Sequence, residues 1–280
     1  MRPILFELSG RPIHSFGAFV ALGFLAALGW TLLETRRVAG DPERPPGLVP
    51  SLYVDALWRV ALAGVLGARL LYCAIHPEEL RGAGGAIGLV AVWRGGLVWY
   101  GGLAGGLLTG LLFVARRRVA LLPALDLATP GIWLGLAVGR LGCYLVADDW
   151  GRPTGGPWGV RFPPLPGSML EPRLLGVPLH PAQLYDSLNA LVVFLTAAIV
   201  LRRSRCPGRA SGVALALYAA GRFAVEHFRG DDLARGVFRL PGLPALSTSQ
   251  WLSLPLFAAG IALAAALSVR ARSRASAGDG

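Results

Sequence analysis

Lysine is absent: all 27 basic residues of this 280-residue chain are arginine. That absence excludes nothing about function, but the other scarcities do. Charged residues make up only 15% of the chain against 54% hydrophobic, with a mean hydropathy of +0.55, which excludes an ordinary soluble domain and makes lipid the solvent. The three cysteines, Cys73, Cys143 and Cys206, are odd in number and have no C-x-x-C spacing, which excludes a disulfide framework. His14, His76, His180 and His227 form no paired or H-E-x-x-H arrangement, so no zinc site is expected. The net charge of +11 is spread over loops and never gathered into a basic stripe interleaved with aromatics, so the expected partner is anionic lipid and not nucleic acid. The N-terminus lacks a basic start followed by a short apolar core and a small-residue cleavage site, so the first apolar run is expected to remain in the mature protein. No internal repeat stands out, which argues against a transporter built from matching halves.

What is present is apolar length. Seven runs, near 15–35, 52–75, 93–115, 121–146, 182–201, 211–228 and 249–269, approach the ~20 residues needed to cross a bilayer. They predict an all-α polytopic membrane protein, a single integral membrane domain over 1–280. Arginine clusters at 36–44, 116–118, 202–209 and 270–274 follow alternate runs. By the positive-inside rule they are cytoplasmic, which places the N-terminus outside and the C-terminus inside. The segment 147–181, dense in proline and glycine, reads as a small periplasmic loop or head between spans four and five.

Polar residues inside the runs carry the functional signal. Asp55, Arg59, Arg69, Asp126, Arg140, Asp186, Arg222 and Glu226 lie at or within predicted spans. Each central charge costs roughly 2.5–3.5 kcal/mol there, so each needs a partner or a wet cavity. Asp55 and Arg59, spaced i, i+4, read as mutual neutralisation. Tyr218, Arg222 and Glu226 recur every four residues as a polar stripe about 12 Å long, which Arg229 extends toward the outer surface. Phenol, guanidinium and carboxylate on one face suit an anionic headgroup, and a buried structural network is the other reading. Arg140 sits near the outer end of the fourth span, so two arginines from different helices can hold one phosphate.

The glycines in "GGLVWYGGLAGGLLTG" at 95–110 fit close helix packing or a smooth wall for an acyl chain. Trp93, Trp99, Trp150, Trp158 and Trp251 fall near span boundaries, as interfacial anchors do.

Taken in order, "HSFG" at 14–17, "GARLLY" at 67–72, "WRGGLVWYGGLAGG" at 93–106, "GRLGCYLVADDWGR" at 139–152, "HPAQLYD" at 180–186, "YAAGRFAVEHFRGDD" at 218–232 and "STSQWLSLP" at 247–255 make the chain similar to the bacterial prolipoprotein diacylglyceryl transferases, nearly end to end. The resemblance implies a seven-span inner-membrane enzyme that moves the diacylglyceryl group of phosphatidylglycerol onto the lipobox cysteine of an exported prolipoprotein, releasing glycerol 1-phosphate. Its partners would be phosphatidylglycerol, the prolipoprotein signal peptide and the bilayer, with no cofactor and no metal. Arg140 and Arg222 match the family's essential arginines, Glu226 and Tyr218 match positions used beside the headgroup, and Gly151 matches a signature glycine. His180 opens "HPAQLYD", where orienting the loop and transferring a proton both fit.

The same resemblance shows where this chain departs. Cys143 and Val146 stand where the family has asparagines, Asp148 where it has glutamate, and Phe16 where it often has tyrosine. Tyr100 replaces the histidine proposed as the base for the incoming thiol. An ordinary tyrosine, titrating near 10, is a poor base at neutral pH unless arginines lower its pKa. The candidate catalytic residues are therefore Arg140, Arg222, Tyr100 and Glu226, with Tyr218, Asp148, Gly151, His180 and Cys143 beside the substrate. A relative acting on another acceptor, and a non-catalytic phospholipid-binding or transport protein, are the alternative readings.

Overall fold

Lipid offers no water to bond a bare N–H or C=O, so an apolar segment crossing it closes its backbone bonds within itself as a helix. The structure, a computed structural model, describes residues 1–8, 11–42, 44–78, 85–92, 96–164, 170–231, 236–238 and 245–278. Among them seven long helices follow the seven apolar runs: α1 (Ser15–Arg37), α2 (Pro50–Ile75), α3 (Trp99–Arg116), α4 (Leu121–Val146), α5 (Ala182–Arg203), α6 (Arg209–Val225) and α7 (Thr248–Gly278). Five of them, α1, α2, α4, α5 and the Thr248–Ala265 part of α7, are each long and apolar enough to cross a membrane. With 18 and 17 residues, α3 and α6 are shorter. The chain is an all-α, multi-pass membrane protein.

Several boundaries differ from the hydropathy reading, and the last helix runs past 269 to Gly278. The third helix begins at Trp99 and not near 93; residues 93–95, with Trp93, lie outside the described residues, and Gly96 at φ +67° turns the chain before the helix. The sixth ends at Val225, where the chain tightens into a 3₁₀ turn, Glu226–Phe228. Ahead of α1 stands an antiparallel hairpin, β1 (Ile4–Leu8) and β2 (Arg11–His14), that hydropathy does not register.

The chain divides into two units, residues 32–124 and residues 1–31 with 125–280. In the first, α2 and α3 cross at glycine: a Cβ on Gly67 or Gly101 would meet the other's carbonyl, and one on Gly105 that of Ala63. Helix packing thus accounts for this part of the glycine stripe. Arg69, 1% exposed, is held by carbonyls, its Nε donating to Gly88 O (2.8 Å) and Nη1 to Gly96 O (3.2 Å). Asp55 does more than neutralise Arg59: its carboxylate lies 3.8 Å from Arg59 but 2.8 Å from Arg117 at the end of α3.

In the other unit, small residues again set the crossings, Gly23 against Gly135 between α1 and α4 and Gly212 against Gly260 between α6 and α7. Asp126 of α4 caps α6 from outside that helix. Its carboxylate accepts from the Gly208 N–H (2.6 Å), the Ser211 N–H (2.8 Å) and the Ser211 hydroxyl (2.7 Å), satisfying donors that the first turn of a helix leaves open. The segment 147–181 has a small core of its own, with Ala147, Phe162, Leu170 and Leu179 buried and β3 (Val160–Arg161) paired to β4 (Pro178–Leu179). A last two-residue pair joins β5 (Val237–Phe238) to β6 (Leu246–Ser247) at the start of α7.

Candidate functional site

In the unit that contains α4 to α7, three arginines converge with four carboxylates. Arg140, on the last turns of α4, reaches Asp149 Oδ2 (2.5 Å) and Asp186 Oδ2 on α5 (3.4 Å). From α6, Arg222 extends to Glu226 Oε2 (2.8 Å), Asp186 Oδ1 (3.8 Å) and the Ser249 hydroxyl of α7, to which Nη2 donates (3.1 Å). Arg229, just past the 3₁₀ turn, donates to Asp149 Oδ1 (2.6 Å) and to Asp231 Oδ1 (2.9 Å). Asp186 is therefore shared by Arg140 and Arg222, and Asp149 by Arg140 and Arg229.

Burial makes these contacts strong and also selective. The Arg222 and Asp186 side chains are 10% and 4% exposed, and Glu226 is fully buried. Charges taken out of water hold together only when neutralised in place, and removing one member of such a set costs about 3–5 kcal/mol. The pairing is nevertheless incomplete in direction. Arg222 Nη1 and Asp186 Oδ1 make no aligned hydrogen bond among the described residues, although each has an ion partner nearby. A guanidinium edge so placed can donate to a further oxygen anion.

Outside the spans, the protonation of the loop carboxylates follows from the same geometry. Burial pushes Asp149 upward, but Arg229 and Arg140 outweigh it and hold the carboxyl below the ordinary carboxylate range. Burial and the neighbouring Asp149 raise Asp148. Burial also raises Asp231, against the opposing pull of Arg229.

The loop that carries Asp149 is built from backbone bonds. Gly151 bridges to Arg229, the Arg152 N–H donates to Phe228 O (2.8 Å), the Gly230 N–H to Trp150 O (3.0 Å) and the His180 N–H to Arg152 O (2.9 Å). A Cβ at Gly151 would strike the His180 carbonyl, so only glycine fits. Gln183 Nε2 donates to the Asp148 carbonyl (2.5 Å). Ala147 and Asp149 adopt left-handed φ of +56° and +53°, the turn that swings the Asp149 carboxylate back over the end of α4.

Most of the residues singled out from sequence come together here. Tyr218 stacks on Trp133 with ring centroids 4.3 Å apart and lies within electrostatic reach of Asp186, Arg140, Arg222 and Arg229. Cys143 is buried with its sulfur 3.9 Å from Arg140 Nη1. Asp148 faces its own loop, accepting from the Asp149 N–H, so the carboxylate on the arginines is Asp149. Cys143, Asp148 and Asp149 bring ligand atoms within 4.8 Å of one another, a spacing a metal ion can use, but Arg140 already sits against two of the three. His180 places Nδ1 3.1 Å from the Tyr185 hydroxyl and its ring against Phe228, in the loop's supporting layer. Tyr100 lies in the 32–124 unit, in the first turn of α3, half-exposed with its ring edge-on to Trp99.

Asp149, Asp231, Ser249 and Gln183 escaped the sequence reading. Asp149 had a signal, the doubled acid of "ADDWG", but the sequence does not say which acid turns inward.

The comparisons with known proteins follow this geometry. A family model described as prolipoprotein diacylglyceryl transferase matches residues 3–266. A phosphatidylglycerol–prolipoprotein diacylglyceryl transferase of Geobacter sulfurreducens is 35% identical over 270 residues, 96% of this chain and 96% of its own. Similar relatives of that name are found in Verminephrobacter eiseniae, 34% identical over 93% of this chain and 91% of its own, and in Ruegeria pomeroyi, 33% identical over 93% of each.

Proposed function

Because the chain belongs to the prolipoprotein diacylglyceryl transferase family, we propose that it transfers the diacylglyceryl group of phosphatidylglycerol to the thiol of a prolipoprotein's lipobox cysteine, releasing glycerol 1-phosphate. The observation that carries the reading is the convergence of Arg140 and Arg222, from two different helices, on one buried point marked by Asp186. A C–S bond forms as the ester C–O bond breaks, the electron pair leaves on the phosphate oxygen, and the thiol proton passes to the leaving phosphate or to solvent. Negative charge thus grows on the phosphate. Two guanidiniums, fixed by their carboxylates before substrate arrives, stabilise it without reorganising and without losing a proton.

In this reading Glu226 and Tyr218 hold and flank Arg222, while the glycerol end of the headgroup meets Cys143 at the end of α4 and the loop of Asp148 and Gly151, supported from behind by His180. A lipobox thiol, with an ordinary pKa near 8.5, is activated by the guanidiniums of Arg140 and Arg222 more than by Tyr100. The protein sits in the bacterial inner membrane with its N-terminus and the 147–181 head in the periplasm and its C-terminus in the cytoplasm, the arrangement that the arginine clusters favour. Cysteines introduced at Gly155 and Gly208 should label from opposite sides of intact cells; labelling from one side would refute that topology. The functional test is complementation. Supplied to a bacterium depleted of its own transferase, this chain should restore radiolabelled-lipid attachment to lipoproteins, and failure by a folded, membrane-inserted protein would favour a lipid-binding role or another acceptor.

A further inference from the structure

The arginine cluster already holds an anion in a displaceable position. Asp149 bridges Arg140 (2.5 Å) and Arg229 (2.6 Å) with one carboxylate oxygen each, a two-armed contact of the kind a phosphate makes. Neither arginine depends on it, since Arg140 also has Asp186 at 3.4 Å and Arg229 also has Asp231. Asp186 is fixed in α5 with a side chain 4% exposed, whereas the Asp149 side chain is 24% exposed on a loop beyond α4. That loop turns through two left-handed non-glycine residues, Ala147 and Asp149, a conformation that is uncommon for alanine and better tolerated by aspartate.

We infer that the Asp149 carboxylate occupies a seat that the substrate phosphate takes over, and that its departure makes Arg229 a third cation on that phosphate. The inference rests on the phosphate-clamp reading above. Charge supports the exchange: a phosphodiester carries one negative charge, as Asp149 does, so the swap leaves the sum over the buried cluster unchanged. An internal competitor lowers apparent affinity by the fraction of molecules in which it has vacated the seat, so removing it tightens binding.

The test uses the full chain in phosphatidylcholine nanodiscs. Glycerol 1-phosphate binding is measured by calorimetry, and KM and kcat for phosphatidylglycerol are measured with a lipobox peptide. Asp149→Asn keeps the shape and tolerates the left-handed backbone, and Asp149→Gly removes the side chain altogether. Both should bind glycerol 1-phosphate about tenfold more tightly than wild type and lower KM in proportion. Arg229→Gln should abolish that gain in the Asp149→Asn background. Unchanged or weaker binding in both Asp149 variants, each with a cooperative thermal transition, overturns the exchange whatever happens to transfer. Tighter binding together with a wild type that transfers nothing sustains the exchange and refutes the transferase reading.

Discussion

Arg222→Lys separates the two things Arg222 does. The guanidinium meets Glu226 at 2.8 Å and Asp186 at 3.8 Å through Nη1 and Ser249 at 3.1 Å through Nη2, three partners around one planar group. Arg222→Ala leaves the fully buried Glu226 and the nearly buried Asp186 one cation short, and a loss of about 3–5 kcal/mol in stability is expected. Arg222→Lys keeps a positive charge, so most of that stability should survive. An ammonium nevertheless presents no fork, and cannot keep Glu226 while placing a second donor on a phosphate. The loss of one preorganised donor to developing charge is worth about 2.7–4 kcal/mol, or 10²–10³ in kcat. The lysine variant should therefore unfold close to wild type in a detergent thermal scan yet transfer at least a hundredfold more slowly to a lipobox peptide, followed by mass spectrometry. A lysine variant within about threefold of wild type in kcat/KM refutes the forked contact.

Asp126→Ala removes the carboxylate that caps α6 and should cost about 1.5–3 kcal/mol, read as earlier unfolding in detergent; an unchanged transition would mean the cap contributes nothing. Tyr100→Phe should retain most of the transfer rate between pH 6.5 and 9.5, because a thiol needs less help from a base than an alcohol does and guanidiniums favour its thiolate; complete loss with intact lipid binding would make the Tyr100 phenol the base. The folded pKa of Asp149 is depressed, so its contribution to stability is fully present above the unfolded value near 3.9 and is lost as pH falls through the folded one. Its share of stability should stay level from pH 8 to about 5 and fall below about 4, and Asp149→Asn should show a shallower acid limb in thermal scans; an identical limb contradicts the bridge to Arg140 and Arg229.

The parts of the fold that lipid dictates were legible in the sequence. Apolar length gives the seven helices, and the i, i+4 spacing of Arg222 and Glu226 gives a contact that needs only the helix period. The start of α3 was misplaced because "WRGGLV" counts as apolar in a hydropathy sum while its glycines favour a turn, as Gly96 shows. The hairpin ahead of α1 is too short for periodicity to report. Within the site, Arg140 and Arg222 stood out because a charge in an apolar run is costly. Asp149, the partner of Arg140, did not, because its role depends on a left-handed turn and on Arg229, which lies far along the chain. Asp126 was visible as a buried charge, but its partners are backbone N–H groups, which leave no mark in a sequence.

The most direct test of the account follows both products at once, in purified protein supplied with phosphatidylglycerol and a lipobox peptide. Thioether formation and glycerol 1-phosphate release should appear in equal amounts with wild type, and both should fall together, at least about a hundredfold, in Arg140→Ala and in Arg222→Lys while each variant remains folded. Phosphatidylglycerol bound without glycerol 1-phosphate released, or equal release by wild type and Arg140→Ala, would contradict it.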